Sequence, residues 1–146
     1  VIGTTFAQSE QISIVTVAYA IGAGAFACAL LVVNNLRDIP SDSQVGKKTL
    51  AVRLGDSKTR MLYVALVWLG FTTNVVVGFL ALTKSELPIW SVAGAISAVA
   101  AHVPGRAVIN NATGKDLIEV LVGTGRAQMV WAVVTSAAIV SQKLFG

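Results

Sequence analysis

Charge is scarce in this sequence. Asp, Glu, Lys and Arg make up only 12% of its 146 residues, hydrophobic residues make up 55%, and the mean hydropathy is +0.75. An ordinary soluble domain is nearer to ~45–50% apolar even when glycine is counted. The composition therefore excludes an ordinary soluble domain and predicts a membrane protein.

Cysteine and histidine are nearly absent, with one residue of each. Cys28 lies inside an apolar segment, and a single cysteine excludes a disulfide framework and a cysteine-based metal site, so we assign it to packing. His102 lies near the end of another apolar segment. A lone histidine in that setting is more typical of structural hydrogen bonding than of a general base.

A charged segment typical of a signal peptide is also missing, because the sequence opens with Val1 and apolar residues. Residues 1–6 resemble the end of a preceding helix. We therefore expect this chain to be a fragment whose site has partners elsewhere.

Four apolar segments approach the roughly 20 residues that a helix needs to cross a bilayer. They cover about residues 12–33, 61–82, 87–103 and 120–140, and the last is long enough only if it begins near Leu117. The first is rich in Gly and Ala, which favours close helix packing, with a ligand cavity as the alternative. Asn74 in the second is expected to bond to another helix rather than to a substrate. The predicted fold is an all-α, polytopic transmembrane bundle.

Positive charge is concentrated in two of the predicted connections, residues 34–60 and 104–126. Because Lys and Arg in short loops are retained on the cytoplasmic side, both connections should face the cytoplasm. This pattern accounts for the net charge of +4 and the pI near 9.6 without a nucleic-acid partner. The basic residues concerned are Arg37, Lys47, Lys48, Arg53, Lys58, Arg60, Arg106, Lys115 and Arg126.

Two carboxylates appear abruptly where the first apolar segment ends. Asp38 and Asp42 are four residues apart and Asn35 precedes Asp38 by three, a spacing that places all three on one helical face. Pro40 favours a helix end or break near Ile39. Oxygen ligands of this kind suit Mg²⁺ held together with phosphate oxygens.

Cations follow these carboxylates, and Lys47, Lys48 and Arg53 could neutralise a phosphate or diphosphate. A solvated loop in which Arg37, Asp38 and Asp42 make surface ion pairs is an equally good interpretation. The spacing alone leaves both interpretations open.

The continuous order Asn-Asn-x-Arg-Asp, Asp, Gly-Lys, Thr-Leu-Ala-Val-Arg-Leu-Gly over residues 34–55 resembles the second aspartate-rich motif of the UbiA superfamily of intramembrane prenyltransferases. It is most similar to the branch that acts on 1,4-dihydroxy-2-naphthoate. That family carries the motif after the sixth of nine helices. The resemblance therefore implies that residues 1–146 are the C-terminal part of one prenyltransferase domain, with the motif loop at residues 34–60.

The resemblance implies a bacterial plasma-membrane enzyme of menaquinone biosynthesis. Its partners would be a polyprenyl diphosphate, the naphthoate acceptor, the bilayer and the missing N-terminal half, and its cofactor would be Mg²⁺. Prenyl transfer with decarboxylation would give demethylmenaquinone. Because the first aspartate-rich motif is not found in this sequence, the fragment alone should be inactive.

Carried onto this sequence, the resemblance implies that Asn35, Asp38 and Asp42 bind Mg²⁺ through the diphosphate. Lys47 and Arg53 would compensate the diphosphate charge, and Arg37 and Lys48 are further candidates.

Two alternatives remain open at this point, and a third lacks its sequence pattern. The acceptor could be 4-hydroxybenzoate, homogentisate or a chlorophyllide. A CDP-alcohol phosphatidyltransferase also uses membrane aspartates, but its longer aspartate pattern is absent here. A transporter segment or helical assembly subunit would use the charged loop for topology only.

Overall fold

The computed structural model describes residues 2–83 and 98–145 of the chain. Five helices occupy these residues: α1 (Ile2–Ser9), α2 (Ile14–Gln44), α3 (Leu50–Thr83), α4 (Ala98–Ile109) and α5 (Asp116–Phe145). No strand occurs among them, so the predicted all-α bundle is confirmed.

Three of these helices are long and apolar enough to cross a membrane: Ile14–Gln44, Leu50–Leu80 and Asp116–Ser141. The protein is an integral membrane protein. The third predicted span, 87–103, falls largely on residues 84–97, which lie outside the described residues. The last span begins at Asp116, near Leu117, and so reaches full length.

Helix α2 is longer than the membrane requires. At 31 residues it extends roughly 46 Å, against a hydrocarbon core of roughly 30 Å. Its apolar part ends at Val33, so its last turns, which carry the polar motif, continue the same rigid helix beyond the apolar segment.

Helix α2 packs mainly against α3 and also against α5, and their shared core is aromatic. Phe26 lies 5.0 Å from Phe71 and 5.6 Å from Trp131, measured between ring centroids. Glycine makes this approach possible, because a Cβ on Gly70 would lie 2.5 Å from the Phe26 ring and one on Gly22 would lie 2.6 Å from Thr73 Oγ1. Gly22 thus supports the close helix packing that the small residues predicted.

Asn74 is fully buried, and its Oδ1 accepts a hydrogen bond of 3.1 Å from Thr135 Oγ1 on α5. A second polar contact joins the same helices, since the hydroxyls of Tyr63 and Thr124 lie 2.6 Å apart. The expected bond from Asn74 to another helix is confirmed.

Neither Pro40 nor Pro104 ends its helix, and the predicted break near Ile39 is wrong. Helix α2 continues through Pro40 to Gln44, and α4 continues through Pro104 to Ile109. Leu36, four residues before Pro40, and Asp42, two residues after it, are both buried. Ser41 Oγ donates to the Asp38 carbonyl at 3.0 Å. Packing on both sides offsets the local cost of the proline.

Candidate functional site

The polar motif lies on the last turns of α2 and not in a long loop. Residues 34–44 are helical, residues 45–49 form a turn, and α3 begins at Leu50 with a bend at Gly55. The predicted loop over 34–60 is therefore corrected to a short turn between two helices. Asn35, Asp38 and Asp42 keep their helical spacing and lie along one face. Asn35 and Asp38 are half-buried, whereas Asp42 is buried.

A glycine turn ends α2 and determines where Lys47 lies. Gly46 has a φ of +73°, its N–H donates to the Ser43 carbonyl at 3.2 Å, and the Lys47 N–H donates to the Asp42 carbonyl at 2.8 Å. These two bonds form a Schellman motif, which favours glycine at the left-handed position. The turn folds Lys47 back onto the helix end.

Both aspartates are paired with cations. Lys47 Nζ lies 3.1 Å from Asp42 Oδ1, and Arg37 binds Asp38 with Nε 2.8 Å from Oδ1 and Nη2 3.3 Å from Oδ2. The structure therefore brings Lys47 and Arg37 to the predicted metal ligands. Lys47 was predicted to bind diphosphate alone, and its pairing with Asp42 was not predicted, although Gly46 just beyond the helix signals it.

One carboxylate oxygen of Asp42 remains without a partner. Within the described part of the chain, Asp42 Oδ2 is buried and makes no hydrogen bond. A buried carboxylate oxygen in that state is costly unless a cation or donor reaches it. With Asn35 and Asp38 on the same face, the oxygen donors fit a hard cation such as Mg²⁺.

The set of ligands is incomplete. The described residues contain no group of three or more His, Cys, Asp or Glu side chains able to hold a metal ion. Asn35, Asp38 and Asp42 can therefore supply only part of a metal site.

Lys48 and Arg53 are exposed, and neither side chain has a hydrogen bond or ion pair with any described residue. Arg53 lies in the first turn of α3, before Gly55 interrupts the helix with a φ of +77°. Thr59 Oγ1 donates to the Gly55 carbonyl at 2.7 Å and fixes this bend. The structure does not bring Lys48 or Arg53 into contact with the aspartates.

Arg60 is a structural residue that the sequence analysis missed. Its side chain is 8% exposed and binds both carboxylate oxygens of Asp56, at 2.6 and 2.9 Å. It also donates to the carbonyl oxygens of Val108 at 2.9 Å and Ala112 at 3.0 Å. Arg60, five residues beyond the Gly55 bend, thus fixes α3 to the end of α4 and to the turn that follows it.

The family model described as the UbiA prenyltransferase family matches residues 1–116. The chain belongs to this family. Within this UbiA chain, the match includes the motif helix, the glycine turn and the Arg60 contacts, and it confirms the resemblance inferred from residues 34–55.

Curated relatives agree with this family. The chain is 40% identical over 139 residues to a 1,4-dihydroxy-2-naphthoate octaprenyltransferase of Mycobacterium tuberculosis (strain ATCC 25618 / H37Rv), and 38% identical over 139 residues to one of Mycobacterium leprae (strain TN). Each alignment covers 95% of this UbiA chain and 45% of the relative.

A protein of the same name from Haemophilus influenzae (strain ATCC 51907 / DSM 11121 / KW20 / Rd) is 46% identical over 65 residues, which is 44% of this chain and 21% of that protein. The UbiA chain thus spans about half the length of the first two relatives. No solved structure matches it.

Proposed function

We propose that this chain supplies part of the diphosphate and metal site of a UbiA-family enzyme that prenylates 1,4-dihydroxy-2-naphthoate with loss of its carboxylate, giving demethylmenaquinone. The observation that carries the proposal is the end of α2, where the buried, unpartnered Asp42 Oδ2 shares a helical face with Asn35 and Asp38. The names of the curated relatives support the acceptor.

The aspartates and the cations have separate roles in this proposal. Asn35, Asp38 and Asp42 would hold Mg²⁺, which when bound supplies Lewis-acid stabilisation of the departing diphosphate. Lys47 already contacts Asp42 and can turn its ammonium toward a phosphate oxygen without moving the backbone, because it is exposed on a flexible stem.

The remaining cations would extend this charge compensation. Arg37 would orient the Asp38 carboxylate and contribute positive charge through the pair it already forms. Arg53 and Lys48 have no partner among the described residues and would bind diphosphate directly.

The metal ligands among the described residues are incomplete, so the remaining ligands would come from another part of the whole enzyme. We infer that this chain is the C-terminal part of a bacterial plasma-membrane protein whose preceding half supplies a second aspartate-rich motif, and that residues 1–146 alone are inactive. The end of the bundle that carries Lys47, Lys58 and Arg60 would face the cytoplasm, as the excess of cations there predicts.

The experiment compares the full-length protein in membranes with Asp38→Ala and Asp42→Ala. The substrates are 1,4-dihydroxy-2-naphthoate and octaprenyl diphosphate, with and without Mg²⁺. We expect a loss of at least about a hundredfold in turnover in each variant, the order found when a group that stabilises transition-state charge is removed. Demethylmenaquinone formation is measured by chromatography.

Asp116→Asn is the matched control, because Asp116 is an exposed carboxylate at the start of α5 and lies outside the motif. It should retain wild-type turnover. Unchanged Mg²⁺-dependent turnover in both motif variants would refute the site. Prenylation of 4-hydroxybenzoate in preference to the naphthoate would refute the acceptor while leaving the site intact.

A further inference from the structure

A groove runs between α3 and α4 at the end of the bundle that carries Arg60. One cavity of about 260 Å³ lies between Trp68 and Phe71 on α3 and His102 and Arg106 on α4. A second cavity of about 440 Å³ continues it toward Asn111 and shares Val64 and Ile109 with the first. The two cavities form one groove that starts near the α4–α5 turn and extends along the helices.

We propose that this groove binds an anionic phospholipid, with the phosphate at Arg106 and an acyl chain along the apolar wall. Nothing in the prenyl-transfer proposal requires this site. It is a separate binding site on a different pair of helices.

Charge supports a phosphate at Arg106, which lines the same cavity as Trp68. Arg106 lies in the last turn of α4 and is exposed, and no carboxylate among the described residues pairs with it. Asp56 also lines the groove, but the bidentate contact with Arg60 neutralises it. Basic pockets between transmembrane helices bind lipid headgroups.

The buried apolar wall of the groove and the open space at Gly105 support an acyl chain in the rest of the groove. Val67 and Phe71 are buried in its wall, while Trp68 is 61% exposed, as expected for an aromatic residue that contacts lipid near the membrane boundary. A Cβ added at Gly105 would meet no atom within 4 Å, so the missing side chain leaves the groove open.

The location at the membrane boundary follows from Arg60. Because Arg60 donates to Val108 and Ala112, the end of α4 lies beside the start of α3, where the cations cluster. Arg106 is two residues before Val108, and Trp68 lies two turns farther along α3 than Arg60. A lipid with its phosphate at Arg106 would therefore lay its chain past Trp68.

The test uses quenching of Trp68 fluorescence in the full-length protein in phosphatidylcholine vesicles. Brominated phosphatidylglycerol or brominated phosphatidylcholine is added at increasing mole fraction, and the Trp68 signal is the part of the quenching that Trp68→Phe removes. We expect phosphatidylglycerol to reach half-maximal quenching at a mole fraction about fivefold lower than phosphatidylcholine, the ratio that one interfacial cation supplies.

Two variants test the contact with the lipid phosphate and the contact with the acyl chain separately. Arg106→Gln should abolish the preference for phosphatidylglycerol. Gly105→Leu should reduce quenching by both lipids, because Gly105 lines the groove and a Cβ there meets no atom within 4 Å, so the leucine side chain would take space that the acyl chain needs. The controls are Arg126→Gln, an exposed cation on α5, and Gly125→Leu, where an added Cβ also meets nothing. Both should behave as wild type.

Three results would overturn the proposal. The first is an unchanged lipid preference in Arg106→Gln, and the second is lipid quenching that Gly105→Leu does not reduce. The third is no quenching of Trp68 by either lipid in the wild type, which would mean that protein covers the groove. Prenyl-transfer activity is not the readout, so failure here is distinguishable from failure of the proposed function.

Discussion

Arg60 donates a 2.9 Å hydrogen bond to the carbonyl oxygen of Val108, 48 residues later in the chain. The Val108 carbonyl belongs to the end of α4, where Asn111 has a φ of +61° and the Ala112 N–H donates to the Ala107 carbonyl at 3.0 Å. A cation at a helix C-terminus is favourable because the exposed carbonyls carry partial negative charge. One buried arginine thus joins two helix ends.

Replacing Arg60 should destabilise the bundle. In Arg60→Gln the carbonyls of Val108 and Ala112 lose their donor, and we expect a loss of about 1–3 kcal/mol, typical of buried hydrogen bonds left unmade. Unfolding in detergent, followed by circular dichroism, measures it. Lys58→Gln, which removes an exposed cation on the same turn of α3, should change stability by less than about 0.5 kcal/mol. Equal losses in the two variants would contradict this role.

Gly46 should tolerate asparagine better than alanine. A Cβ there meets no atom within 4 Å, so the cost of Gly46→Ala is conformational and amounts to about 1–2 kcal/mol, because φ is +73°. Asparagine adopts this conformation more readily than alanine. Thermal unfolding of the two variants in one detergent measures the difference, and equal stability would mean that the Schellman turn does not determine the end of α2.

Gly70 should be intolerant of even one methyl group. In Gly70→Ala the new Cβ would lie 2.5 Å from the Phe26 ring, so α2 and α3 must separate or the ring must move, at a cost of about 1–3 kcal/mol. Gly24→Ala is the matched control, because its Cβ meets nothing and alanine favours a helix.

A second substitution tests the cause of the Gly70 effect. The double variant Gly70→Ala, Phe26→Leu should lose less than the sum of the two single losses, because the smaller leucine makes room for the alanine methyl and the methyl fills part of the space that the ring leaves. Strictly additive losses in thermal unfolding would show that the two residues do not compete for one space.

The hydrogen bond between Asn74 and Thr135 should contribute modestly to stability. Thr135→Val removes the donor, and we expect a loss of about 0.6 kcal/mol, the average for such bonds in membrane bundles. In the control Thr72→Val, the lost bond runs to Leu69 of the same helix and the residue is exposed. A double-mutant cycle with Asn74→Val isolates the coupling, and a coupling of zero would contradict the bond.

The sequence predicted those features that depend on local pattern. Apolar length located the first two spans, and helical spacing placed Asn35, Asp38 and Asp42 on one face whichever way α2 packs. Their order also carried the family resemblance. Each of these follows from residues close together in the chain.

Features that depend on packing could not be predicted in this way. Pro40 and Pro104 each signal a break, but contacts made by distant residues hold both helices continuous. The partners of Arg60 lie 48 and 52 residues later in the chain, and no local pattern indicates them. The pairing of Lys47 with Asp42 lies between these two classes of feature. It was not predicted, but Gly46 signals the turn that produces it.

Because α2 is continuous, a tilt in its apolar part displaces the motif at its end. Gly22, fitted against Thr73 and Trp131, lies 20 residues before Asp42, or about 30 Å along a rigid axis. A tilt of about 5° at Gly22 would therefore move the Asp42 carboxylate by roughly 2.6 Å. Bulky residues at Gly22 should displace the motif without touching it, and the proposed prenyl transfer should respond to a packing change in the middle of the membrane.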